Sequence, residues 1–408
     1  MAVEELNLMD PLTYADSVPH EYFKYLRETQ PIALRSDDAP SIPYWAVTSH
    51  EACVHVNREW EEFSSFPKTS LINDIPEDLI FQQQLMMLNM DPPDHTRYRR
   101  LVNKAFTPRM VRDLEARLHT VTDSLLDKVS ERGEADFVVD IAAELPLIVI
   151  AELMGVPFED RHKMFDWSNT MIGSDDPEYK VSEEAGGVAA MELYGYASQL
   201  FASKRAHPGE DLMTALTQVN ADGEMLSDLE LELFFLLLAV AGNETTRNLI
   251  AGAMNTFFQN PDQWALLVED RSLLPSAVEE MLRYVTPVMC FRRTAMSDVA
   301  LEGVEIKEGD KVVFFHISAN RDERVFENPS VFDITRTPNP HIAFGGGGPH
   351  FCLGANLARM EIKVMFEHLL DRMPDITQAG PAERLQSSFI NGIKHIPVAF
   401  TPHAPVSN

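Results

Sequence analysis

The chain has 408 residues, 45% of them hydrophobic, and a formal net charge of −29. That length and composition supply a sizeable core, and the strong negative charge excludes a general nucleic-acid binder. Three cysteines, Cys53, Cys290 and Cys352, cannot make a disulfide framework and suit a reducing compartment. The opening MAVEELNLMDPL has neither a basic nor an apolar signal region, and the longest apolar run, Leu233 to Ala241, is too short to cross a bilayer. A cytoplasmic protein without a membrane anchor is expected. No repeat, low-complexity segment or linker divides residues 1–408, so one domain is expected.

In chain order, Tyr44 to Thr48 (YWAVT) reads as a strand. A basic stretch follows from His95 to Arg117, in which Arg97, Arg99, Arg100, Lys104, Arg109, Arg112 and Arg117 face only Asp113 and Glu115. Within it, Thr107-Pro108 is a helix opening, and Val111, Leu114, Leu118, Val121, Leu125 and Val129 fall on one helical face. Gly173 to Gly187 is polar and glycine-bearing, and reads as an exposed connector or a lid over a pocket. Leu233 to Met254 is a long apolar helix interrupted by Asn243, Glu244, Thr245 and Thr246. Polar groups inside a buried helix are costly without a partner or a task. Either one helix ends at Gly242 and Asn243 caps the next, or the polar quartet has a function. Leu274 to Val285 is an amphipathic helix, Lys311 to Ser318 (KVVFFHIS) a strand, Leu357 to Leu370 a helix, and Ser387 to Phe400 a hairpin-like segment. The architecture is mainly α with a minor β part.

The segment AFGGGGPHFCLGANLAR, Ala343 to Arg359, sets four glycines before a cysteine. Zinc would need several close Cys or His ligands, and Cys352 has only His350 near it. A phosphate loop would end in Gly-Lys-Ser/Thr, and a dinucleotide loop would space its glycines within a βαβ unit. What remains is a lone thiolate near a helix N-terminus, stabilised by the helix and by backbone N–H groups that no side chain obstructs. A thiolate ligand to haem iron fits that description.

These residues resemble the haem-ligand signature of the cytochrome P450 family. Phe344, Gly346, Gly348, His350, Cys352 and Gly354 occupy its slots, with one glycine more than the commonest spacing between Phe344 and Cys352. The resemblance implies a triangular, mainly helical prism around haem b (iron protoporphyrin IX), with Cys352 as axial ligand and Phe344, Gly345, His350 and Gly354 against the cofactor. GNETTRN resembles the family's central helix, in which Ala241 and Gly242 pass over the haem face. There Glu244 and Thr245 form an acid–alcohol pair that delivers protons for splitting dioxygen. EEMLRYVTP resembles the E-x-x-R motif, so Glu280 and Arg283, with Arg336 as third partner, are expected to be buried and to brace the cysteine loop. The competing pair is Glu279 with Arg283, which as a surface ion pair would have no such role. His95, Arg99 and Arg293 align with propionate ligands, with Arg292 as competitor to Arg293.

The resemblance also implies a pocket lined by Met87, Leu237, Val240, Ala241, Val288 and Ile390, all apolar. The implied activity is a monooxygenase that hydroxylates a steroid, terpenoid or branched lipid with O2 and two electrons. Small aromatics and aliphatic chains stay open as substrates. No reductase is fused, so electrons would come from a ferredoxin and its reductase. Arg97, Arg100, Lys104, Arg109 and Arg112 form the candidate docking patch. A haem-thiolate sensor and a purely structural helical protein are the alternatives from other classes. Cys53 and Cys290 match no motif and read as small buried hydrophobes.

Overall fold

The computed structural model describes residues 5–36, 42–105, 108–173, 175–182, 184–218 and 223–406, with the side chains of residues 104–113 left out. Thr107 therefore lies outside the described residues, although the helix Pro108–Ser130 begins where the sequence places it. The chain divides into two compact units.

The first unit comprises Met1–Thr96, Pro275–Ala355 and Gln386–Asn391. Its centre is a five-stranded sheet in the spatial order Ile32–Arg35, Tyr44–Val47, Lys311–Phe315, Cys290–Ala295, Phe63–Ser64. Tyr44–Val47 and Lys311–Phe315 pair in parallel, with Tyr44 opposite Lys311, and the other pairs are antiparallel. The run KVVFF does not alternate because both faces of its strand are covered. Val313 and Phe315 pack with Tyr14, Phe23, Tyr44 and Met289, while Val312 and Phe314 pack with Val47, Cys53, Val56 and Phe63. Cys53 and Cys290 are fully buried in these two clusters, and burial raises both thiol pKa values.

The strand expected over Lys311–Ser318 stops at Phe315, and His316–Ala319 forms one helical turn. Side-chain bonds reward the turn. The Ser318 hydroxyl donates to the Thr48 carbonyl at 2.9 Å, and Arg27 donates to both the hydroxyl and the carbonyl of Ser318. Those contacts are long-range, so local β-propensity did not report them.

The second unit comprises Arg97–Leu274, Asn356–Leu385 and Gly392–Asn408, and it is mainly helical. Its longest element is the helix Asp228–Gln259. Ser227 and Glu230 form a capping box at its start: the Ser227 hydroxyl accepts from the Glu230 N–H, and the Glu230 carboxylate accepts from the Ser227 N–H. The helix runs unbroken through Gly242, so the two-helix alternative is excluded. Gly242 lets Ile150 approach, since a Cβ there would sit 2.7 Å from its Cδ1. Small sheets complete the unit. Pro397–Ala399 lies between Glu134–Asp136 and Thr377–Gln378, and Ile393–His395 pairs with Glu383–Arg384. The hairpin expected over Ser387–Phe400 is thus corrected: its two strands pair with different partners, because each finds a free edge elsewhere.

Glu280 and Arg283 have no exposed surface. The guanidinium meets the carboxylate at 2.7 and 2.8 Å, and also donates to the carbonyls of Asn320, Pro329 and Val331. Arg336 and Asn339 join on Glu280, as does the backbone N–H of Asp333. Glu279 is instead bonded to His341 at 3.0 Å, which settles the competition between the two glutamates. A buried pair broken on one side leaves an uncompensated charge. Arg283→Ala is expected to cost about 3–5 kcal/mol, read as a lower urea midpoint. A loss under about 1 kcal/mol, the usual worth of a surface pair, would contradict this assignment.

Candidate active site

In the first unit, the cysteine loop lies against the helix His50–Arg58. Gly345, Gly347 and Gly348 have φ of +91°, +101° and +76°, values that side chains resist. A Cβ at Gly348 would sit 2.5 Å from the Asn57 carbonyl oxygen, and one at Gly346 would sit 2.8 Å from Val54 Cα. Arg58 Nε donates to the Gly346 carbonyl at 2.8 Å. These glycines therefore answer first to this helix, a demand that sequence reasoning missed. Gly354 differs: a Cβ there meets no heavy atom within 4 Å. The Cys352 N–H donates to the Phe344 carbonyl at 3.0 Å, closing the loop, and the helix Ala355–Arg372 starts three residues later. Cys352 is half-buried.

Two candidate propionate ligands of this unit, His95 and His350, lie together. The rings of His95 and His350 lie 4.5 Å apart, and His350 Nε2 is 3.2 Å from the Ser65 hydroxyl. Arg292 is committed elsewhere: it pairs with Asp74 at 2.7 Å, and Lys311 shares that carboxylate. Arg293 is 3% exposed and stacks over Phe314. It donates to the Arg292 carbonyl at 2.7 Å and has no carboxylate ion pair among the described residues. Burial pushes its pKa down to about 10, with Asp91 opposing. A buried cation without an anion is costly, and a cofactor carboxylate supplies what this guanidinium lacks. The residues present therefore fit haem. Val288 and Ile390 form an isolated β-bridge, Ile390 is buried, and Met87 is buried in a short turn, Met87–Asn89.

In the second unit, the long helix carries the acid–alcohol pair. Most of its middle is buried, but Leu237, Val240, Gly242 and Thr245 are half-buried and Ala241 is exposed, forming an accessible stripe at helical spacing. The Thr245 hydroxyl donates to the Ala241 carbonyl at 2.8 Å. Glu244 is 1% exposed. Its carboxylate pairs with Arg247, accepts from the Ser168 hydroxyl at 2.9 Å, and accepts from Asn243 at 3.3 Å. Arg247 also donates to the Asn169 side chain at 2.9 Å. Glu244 is thus held in a buried ion pair. Arg247 was findable, three residues on along one helix. Ser168 and Asn169 come from the helix Arg161–Ile172 and left no signal in the sequence. Arg99, one turn beyond His95 in the helix Asp94–Ala105, is half-buried.

The basic patch is partly neutralised. Arg97 pairs with Glu230 and Arg100 with Glu224, while the side chains of Lys104, Arg109 and Arg112 lie outside the described ones.

Of the glycine-bearing connector Gly173 to Gly187, Ser174 and Glu183 lie outside the described residues, residues 185–187 open the helix Ala185–Ala206, and Asp176 and Glu178 tie its middle down. Asp176 is 1% exposed and pairs with Lys394 at 3.0 Å, and Glu178 takes both Lys394 and His395. His395 Nδ1 bonds Asp136 at 2.6 Å.

The family model described as Cytochrome P450 matches residues 197–374. A steroid C26-monooxygenase of Rhodococcus jostii is 44% identical over 97% of this chain and 85% of its own length. The chain belongs to the cytochrome P450 family. It is a monooxygenase of that family, and its fold is the P450 fold. A methyl-branched lipid omega-hydroxylase of Mycobacterium tuberculosis is 38% identical over 97% of this chain and 94% of its own. Among solved structures, a P450 of Mycobacterium marinum in complex with pseudoionone superposes with a TM-score of 0.89. It is 36% identical and covers 98% of this chain and 100% of its own. A Bacillus megaterium P450 in complex with corticosterone gives 0.83 at 34% identity over 94% and 98%. No helix among the described residues of this P450 is long and apolar enough to cross a membrane.

Partial burial pulls the His395 pKa down, but the bonds and charges of Glu178 and Asp136 outweigh it and hold it above the ordinary value. A raised pKa contributes stability that is complete below the unfolded value, about 6.5, and is lost as pH rises through the folded one. Amide exchange in residues 175–182, corrected for its intrinsic rate, should therefore speed up as pH rises above neutrality. In His395→Gln that extra pH dependence should vanish. An identical profile in the variant would show that His395 does not tie the connector.

Proposed function

We propose that this P450 hydroxylates a hydrophobic small molecule, a steroid or methyl-branched lipid, on a branched aliphatic terminus. The carrying observation is sequence similarity over nearly the whole chain, at 44% and 38% identity, to a steroid C26-monooxygenase and a methyl-branched lipid omega-hydroxylase. The apolar candidates Met87, Leu237, Val240, Ala241, Val288 and Ile390 are the proposed pocket lining. The whole chain acts as one catalytic domain, with electrons supplied by a separate ferredoxin.

Cys352 would hold haem through its thiolate, and His95, Arg99, Arg293 and His350 would hold the propionates. When bound, a haem-thiolate activates O2 with two electrons and two protons and inserts one oxygen atom into a C–H bond. The chain's own part is positioning and protons. Thr245 keeps its hydroxyl proton on the Ala241 carbonyl, from which rotation about one bond re-aims it. Glu244 stands one residue earlier with its charge held by Arg247. Its carboxyl can take and pass a proton only after exchanging the Ser168 and Arg247 contacts for water.

Titration of the ferric protein with steroids, methyl-branched fatty acids, terpenoids and small aromatics should shift the Soret band to shorter wavelength for the first two classes. A shift with small aromatics alone would overturn the substrate assignment. Thr245→Ala should keep that shift while product formed per reductant consumed falls about ten-fold or more, the electrons appearing as hydrogen peroxide. Unchanged coupling would remove Thr245 from proton delivery. Charge reversal of Arg109 and Arg112 to glutamate should slow reduction by ferredoxin about ten-fold at low salt and leave the haem spectrum unmoved. Equal rates at low and high salt would remove the docking patch.

A further inference from the structure

The helix Leu274–Val285 is followed by a residue in a conformation foreign to its type. Thr286 is fully buried and has φ of +48°. A β-branched residue in the left-handed region is strained, and such strain persists only where the surroundings fix it. Glycine is the usual residue after a helix end of this kind. Threonine here brings a hydroxyl, and the hydroxyl is fully used.

That hydroxyl donates to the Arg283 carbonyl at 2.7 Å and accepts from Asn320 Nδ2 at 2.8 Å. Asn320 Oδ1 accepts from the backbone N–H of Ile342 at 2.7 Å. The Ile342 N–H can only donate, so the Asn320 amide has one permitted orientation and the Thr286 proton must point to Arg283. Asn320 is fully buried, and its two ends therefore join Thr286 to the segment that enters the cysteine loop. The Ile342 carbonyl in turn accepts from Gly345, and the Phe344 carbonyl accepts from Cys352.

On the other side of Thr286, the chain becomes the wall assigned above to substrate. The Pro287 carbonyl accepts from the Asn391 N–H, Val288 bridges Ile390, and the Met289 N–H donates to the Phe389 carbonyl. The backbone from residue 287 to 289 thus takes its direction from a strained residue whose side chain is anchored to the entrance of the cysteine loop.

We propose that Thr286 is a specificity-determining positioning residue: through Asn320 its hydroxyl fixes the Val288–Ile390 wall against the cysteine loop, and so sets which C–H bond of a substrate is presented. This rests on the assignment of Val288 and Ile390 to the substrate pocket. Thr286 itself need not touch substrate.

The test compares wild-type holoenzyme with Thr286→Val, Thr286→Ser and Thr286→Gly, using an iso-branched hexadecanoic acid and a C27 steroid with a branched alkyl side chain as probes. Thr286→Val keeps the shape and loses the hydroxyl. Thr286→Gly loses the hydroxyl and relieves the strain, so it carries the test if the valine variant does not fold. In both, the ratio of hydroxylated positions should change about five-fold, the scale of one neutral hydrogen bond, while the reduced carbon monoxide spectrum stays that of wild type. Thr286→Ser should restore the wild-type ratio. If Thr286→Gly keeps the wild-type ratio, or if the serine variant deviates as far as the valine one, the proposal is wrong. A wild-type protein that converts neither probe overturns the substrate assignment and this inference with it.

Discussion

The Arg283 guanidinium is a permanent charge with no exposed surface, and the first unit is arranged to keep it satisfied. Glu280 supplies the opposite charge, and three carbonyls from residues 320, 329 and 331 supply the remaining acceptors. Any shift of those carbonyls would strand a donor in a dry interior, at a cost of about 1–3 kcal/mol or more against a domain stability of about 5–15 kcal/mol. The irregular chain between Asn320 and Asn339 has little regular structure of its own, and its carbonyls are fixed by Arg283 instead of by a helix ladder. Asn320 extends these bonds in two directions, to Thr286 and to Ile342.

Electrostatics divides the arginines of the first unit's candidate site and the long helix into those with a carboxylate partner among the described residues and one without. Arg292 and Lys311 share Asp74, and Arg247 is bound to Glu244. Arg293, as deeply buried, has a carbonyl and an aromatic face, with no carboxylate ion pair among the described residues. Two adjacent arginines on one strand are therefore chemically unlike: one is ion-paired within the frame, and the other has the character the proposed propionate site requires. The Glu244 ion pair places a different requirement on the helix. In the proposed role the Glu244 carboxylate is held by partners, so using it would require some movement of Ser168 or Arg247.

Much of this was legible in the sequence, because the chemistry lies in contiguous motifs. Cys352, the Glu244–Thr245 pair and Glu280–Arg283 all stand in short runs whose spacing already states which side chains share a face. The long helix announced itself through an apolar run, while its start at Asp228 and the Ser227 cap came from the structure. What stayed hidden depends on contacts distant in sequence. His316 to Ser318 has strand-like composition, but bonds from Arg27 and to Thr48 turn it into a helix. The last segment looked like a hairpin, because alternation shows that residues form strands and does not show which strands they meet. Ser168 on Glu244 and Asn320 on Thr286 are single polar residues in ordinary surroundings, and nothing local distinguishes them.

The glycine run has a consequence for anyone who would move this loop to another scaffold. Its backbone is contoured to Val54, Asn57 and Arg58, near the other end of the chain, so the ligand loop and the helix His50–Arg58 are one transferable module. A graft of the loop alone would carry the left-handed turns without the surface that makes them necessary.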